Sequence, residues 1–134
     1  APLSAYHAGA AMKSFEIIEK EPWRTEQCQK NGEYLREKFV ENGFDIERSE
    51  TCVIPVVLRD VKQLMNMNYY MLSQGYFSAA VMAPACSVEA PRFRICATSS
   101  ETKDDIDKII NIFIEAREKF PESERITKLV QAIK

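Results

Sequence analysis

The stretch Arg92-Phe93-Arg94-Ile95-Cys96-Ala97 constrains the fold more than any other part of the chain. Its apolar and polar side chains alternate, and a β-strand sends successive side chains to opposite faces. Phe93, Ile95 and Ala97 form one face; Arg92, Arg94 and Cys96 form the other. A sheet built around such a strand has one side to bury and one it leaves open. Thr102 follows, with Asp105 three residues on, a capping-box start that satisfies free amide donors at a helix N-terminus. Ile106, Ile109, Ile110, Phe113 and Ile114 then recur at helical spacing, an apolar stripe that a sheet face can cover.

The rest of the chain supplies the other elements. Residues 4–20 read as a helix capped by Ser4, with Ala8, Ala11, Phe15 and Ile18 at helical spacing. Pro22 suits the first turn of a second helix, 22–42, which carries Trp23, Cys28, Leu35 and Phe39 and stops at Gly43. The β-branched run 52–58 is a strand, and Pro55 inside it argues for an edge or a bulge. A Met- and Tyr-rich helix over 61–74 ends at Gly75, and its Met65, Met67, Met71 and Tyr69 are expected to pack a core and a domain interface. Residues 76–82 read as a second strand, 83–91 as an ordered loop with two prolines, and 92–97 as the third strand. Pro121 breaks the helix begun at Thr102, and a last short helix over 122–133 shows Ile126, Leu129, Val130 and Ile133. The expected fold is α+β: about three strands in a mainly antiparallel sheet, with helices packed on one face. At 134 residues the chain is the size of one domain, and 46% hydrophobic content allows it a core.

Several function classes are disfavoured. A net charge of −2 gives no electrostatic reason to expect nucleic acid or an acidic membrane as partner. No apolar run approaches the roughly 20 residues that cross a bilayer. The start of the chain has no cationic stretch before a long apolar core, so it does not read as a signal peptide. It opens Ala1-Pro2 without an initiator Met, which reads as a piece of something longer. Cys28, Cys52, Cys86 and Cys96 form no C-x-x-C pair, and His7 is the only histidine. A metal site is therefore not expected, and the cysteines read as free thiols in a reducing, cytoplasmic setting. No phosphate-binding G-x-x-x-x-G-K motif and no nucleophile elbow is present.

The two arginines remain. On an open sheet face a guanidinium can bind a carboxylate through two parallel hydrogen bonds. The plain alternative is that the open face of an antiparallel sheet meets water, where Arg is common.

Five segments in order, "AGAAMKSFEIIEKEP" (8–22), "NGEYLREKFVENGFDI" (31–46), "TCVIPVVLRD" (51–60), "LSQGYFSAAVMAPACS" (72–87) and "PRFRICATSSETKDDIDKII" (91–110), resemble the C-terminal domain of the α-oxoamine synthases. These are fold-type I enzymes dependent on pyridoxal phosphate (PLP), the group of 8-amino-7-oxononanoate synthase, 2-amino-3-ketobutyrate CoA ligase and serine palmitoyltransferase. The resemblance runs over about 120 residues and fades after Phe120. It implies that Arg94 binds the α-carboxylate of an amino-acid substrate, with Arg92 as a weaker candidate. The loop 83–88 would lie over that substrate, making Cys86 and Ser87 minor candidates. Some members carry an arginine where this chain has Met82, which leaves a second anion contact and the acyl donor open. The implied reaction condenses an amino acid with an acyl-CoA, in most members with loss of carbon dioxide, in a homodimeric parent.

The same resemblance places the PLP-binding groups in a large domain that precedes residue 1. PLP chemistry needs a Schiff-base lysine, a carboxylate at the pyridine nitrogen and a phosphate cradle. Lys13, Lys20, Lys30 and Lys38 lie on helices beside charged neighbours, Lys103 and Lys108 sit in an acidic helix, and none has an apolar, Gly-flanked setting. The chain alone is thus expected to hold no cofactor and to be inactive. Residues 1–21 would be the connecting helix, 22–120 the small-domain core and 121–134 an extra C-terminal helix. Two other readings stay open: a stand-alone amino-acid-binding regulatory module, since strand, helix, strand, strand, helix partly matches a ferredoxin-like order, and a non-catalytic subunit of a heteromer.

Overall fold

The computed structural model describes residues 4–123. Helix α1 spans Ala5–Lys20 and α2 spans Trp23–Glu41. Strand β1 covers Val53–Val57, α3 Val61–Ser73, β2 Ala79–Val81, β3 Arg92–Cys96 and α4 Lys103–Lys119. The ends of these elements follow from their capping residues. The Ser4 hydroxyl accepts from the His7 amide, and the Asp60 carboxylate accepts from the Lys62 and Gln63 amides. Thr102 and Asp105 complete the reciprocal capping box at α4. Gly43 and Gly75 stop α2 and α3 in left-handed conformations, φ 71° and 81°, that a Cβ would strain.

The three strands form one antiparallel sheet in the order β1-β3-β2, so β1 and β2 run parallel on either side of β3. Pro55 lies in edge strand β1, directly opposite Arg94. The ladder explains why it fits there. Ala97 donates to Cys52 O at 2.9 Å and Leu58 donates to Pro91 O at 2.9 Å, so even-numbered β1 residues hold the hydrogen bonds to β3. The missing N–H of Pro55 would have pointed away from the sheet, and its loss removes no ladder bond. Farther along the same edge, the outward Val57 amide is taken by Asp45 O at 2.8 Å.

Helices α2, α3 and α4 cover one face, with α4 packed between the other two. Phe93 and Ile95 of β3 and Ile54 and Val56 of β1 meet Leu35, Phe39, Leu64, Met67, Met71, Ile106 and Ile110 there. Phe113 of α4 centres the core. It meets Phe39, Phe93 and Phe44 edge-on at centroid distances of 5.1, 5.3 and 5.9 Å, a preferred aromatic geometry.

The structure shortens the second strand expected over 76–82 to Ala79–Val81. Tyr76 is used otherwise: its amide closes α3 onto Met71 O at 2.9 Å and its ring turns to Phe113. Within α3, Met67 and Met71 join the core, whereas Tyr69 is exposed. None of the α1 side chains is buried, and Phe15 is 68% exposed. The helix expected over 122–133 lies almost wholly outside the described residues. Among the described residues no helix is long and apolar enough to cross a membrane.

Candidate functional site

The open face of the sheet carries a concavity of about 640 Å³ lined by Val53, Pro55, Val81, Ala85, Cys86, Ser87, Arg92 and Arg94. The four residues singled out in the sequence, Arg94, Arg92, Cys86 and Ser87, all border it. Two causes bring them together. The pleat of β3 sends Arg92 and Arg94 to the face opposite Phe93 and Ile95. The loop after β2 turns through a cis Ala83–Pro84 peptide and returns over the sheet before β3 begins.

The two arginines differ in their surroundings. Arg94 has Pro55 opposite it on one side and Ala79 on the other, neither with a charge to offer. Among the described residues its guanidinium has no hydrogen bond, ion pair or ring contact, and the side chain is exposed. Arg92 is engaged twice. Its Nη1 donates to Glu47 Oε2 at 2.8 Å and its Nε donates to Ala90 O at 3.0 Å. These two contacts tie Arg92 to the loop end at Ala90 and to the turn before β1.

The loop residues are tied locally. The Cys86 thiol donates to Val81 O at 3.5 Å, and the Ser87 hydroxyl accepts from the Glu89 amide at 3.2 Å. Neither has a base placed against it among the described residues, so neither is set up as a nucleophile. All four cysteines are free. Cys28, away from the concavity, donates to Ala97 O at 3.3 Å; burial, and then the neighbouring Cys52, push its thiol up, making it a poor nucleophile. Among the described residues no three His, Cys, Asp or Glu side chains converge to hold a metal.

The concavity does not fit PLP by itself. It offers guanidinium, thiol and hydroxyl groups, but its lining has no lysine for a Schiff base and no carboxylate to hold a pyridine nitrogen. What it offers chemically is one unpaired cation above an apolar floor, a site for a carboxylate. Sequence reasoning missed Glu47. It lies 45 residues from its partner Arg92, and no spacing rule links the two. Val53 and Pro55 were legible in principle, because they alternate with the buried Ile54 and Val56.

The model of the aminotransferase class I and II family matches residues 1–113. An 8-amino-7-oxononanoate synthase of Symbiobacterium thermophilum is 33% identical over 106 residues, which are 79% of this chain and 27% of that protein. A serine palmitoyltransferase of Bacteroides ovatus is 29% identical over 107 residues, 80% of this chain and 27% of that one. Among solved structures, serine palmitoyltransferase from S. paucimobilis, determined with PLP and myriocin bound, superposes with a TM-score of 0.76 at 19% identity. That match covers 82% of this chain and 28% of the other, and it shows a shared fold. The chain spans about a quarter of the length of these relatives. With a family match over most of its length and this fold, the chain belongs to the class I and II aminotransferase family, and its relatives are α-oxoamine synthases.

Proposed function

We infer that this chain is the C-terminal domain of a PLP-dependent acyltransferase that joins an amino acid to an acyl-CoA. Its contribution is Arg94, which binds the amino acid's α-carboxylate. The observation that carries this reading is the Arg94 guanidinium, without a partner among the described residues, on the open face of a sheet whose other face packs on the helices. A planar guanidinium offers two parallel donors to a carboxylate, and among the described residues no carboxylate is paired with it. Pro55 and Ala79 leave that fork uncrowded.

The remaining three quarters of the parent protein would hold PLP over this face and supply the lysine. Bound there, PLP serves as the electron sink for bond cleavage at the amino acid's α-carbon. The domain's own work is to bind the carboxylate, fix the substrate's orientation and, through the loop bearing Cys86 and Ser87, border the site. Residues 5–20, with no buried side chain, would carry the chain from the large domain into this one. The parent would be a cytoplasmic homodimer, and the 134-residue chain alone would not turn over.

Arg94→Ala in the full-length enzyme tests the reading. Loss of a bidentate charge-assisted contact should raise KM for the amino acid on the order of a hundredfold, with KM for the acyl-CoA unchanged. An Arg94→Ala enzyme that binds its amino acid as tightly as the unaltered one would sink the assignment. Saturable binding of free amino acids by the 134-residue chain, with micromolar affinity, would instead favour a stand-alone binding module.

A further inference from the structure

Glu47 sits in the turn between Ile46 and β1 with φ 53°, a left-handed conformation unusual for a residue with a side chain. Its amide donates to Asp45 Oδ1 at 3.0 Å, which fixes the turn. From there its carboxylate reaches Arg92 at 2.8 Å. The Arg92 side chain is 22% exposed and the Glu47 side chain 48%, so the pair lies at the surface and solvent partly screens it. Arg92 and Arg94 project from one face of β3 two residues apart, about 6.6 Å of strand rise. Without Glu47 the concavity would present two guanidiniums, spaced to take two carboxylates. With Glu47 in place, one of them already has its carboxylate.

We propose that Glu47 sets the anion specificity of this concavity by standing in for a second carboxylate. It holds Arg92 out of substrate binding and leaves Arg94 as a site for a single carboxylate. A dicarboxylic amino acid whose α-carboxylate sat on Arg94 would bring its second carboxylate against Glu47, with no cation left to receive it. Rejection then comes from an unpaired like charge rather than from a lost contact. This inference rests on the reading of Arg94 as the carboxylate-binding residue.

The test follows the arginine Nε–Hε NMR signals of the 134-residue chain during titration with acetate and with succinate at constant ionic strength. In the unaltered chain both anions should move the Arg94 signal and leave Arg92 in place. Glu47→Gln should free Arg92, so that succinate moves both signals and gains about tenfold in affinity relative to acetate. Glu47→Asn should give the same result while suiting the left-handed backbone, and it guards against a folding defect in the first variant. If acetate moves Arg94 in every protein but succinate gains nothing in either variant, the specificity role of Glu47 falls while the Arg94 reading stands. If neither anion moves Arg94 in any of them, both readings fall together.

Discussion

Arg92 and Arg94 are one residue type on one strand face, yet they have different surroundings. The Arg94 guanidinium makes no hydrogen bond, ion pair or ring contact within the described residues, so truncating it should leave stability within about 0.5 kcal/mol while removing the carboxylate binding proposed for it. A titratable group on the core side makes a separate prediction. Burial, and then the charge of Glu101, push the Tyr76 phenol up to about 12. The folded state favours its neutral form, so its contribution to stability is whole below the ordinary tyrosine value near 10. It is lost as pH rises from there toward 12. A spectrophotometric alkaline titration should show Tyr34, raised by its hydrogen bond to Asp107, and Tyr76 ionising late, the Tyr76 step together with the onset of unfolding. Tyr76→Phe should remove that late step. Ionisation of all tyrosines together near pH 10 in the folded chain would contradict it.

Among the elements, α3 shows how a single side chain joins local to distant structure. Asp60 caps the helix through the Lys62 and Gln63 amides and also accepts from the Ser123 amide at 3.1 Å. Burial alone would raise its pKa. The amides of Ser123, Lys62 and Gln63 together outweigh burial and hold the carboxyl below its usual range. A depressed folded pKa means that the stabilisation is present above the ordinary carboxylate value and is lost as pH falls through the folded one. Asp60→Ala should cost about 1–2 kcal/mol by denaturant unfolding at neutral pH. The gap from the unaltered chain should narrow in acid, and a gap independent of pH would show that the carboxylate charge is not responsible. The caps at Ser4, Thr102 and Gly43 were legible in the sequence because capping depends on residues within one turn. The length of β2 was not, because Tyr76 leaves the strand to meet Phe113, a residue 37 positions away.

Over the whole molecule, burial separates α1 from the rest. Phe113→Ala should cost about 3–5 kcal/mol, because its ring lies at the junction of α2, α4 and β3. Phe15→Ser, on a helix with no buried residue, should change the stability of the 134-residue chain by no more than about 0.5 kcal/mol. Thermal unfolding of the two variants checks both, and an equal loss would mean that α1 packs on the core in solution. The sequence by itself determined the α+β class, the one-sided sheet, the restriction of the Pro55 strand to an edge or a bulge, and the face on which both arginines stand. Each of these is written in a period of 2 or 3.6, or in the donor that Pro55 lacks, and such signals act over a few residues. Only the tertiary structure decided which arginine has a partner among the described residues. That depends on Glu47 meeting Arg92 across 45 residues of chain, a pairing fixed by where the folded turn before β1 places a carboxylate. Two residues that are alike in the sequence therefore differ in the fold.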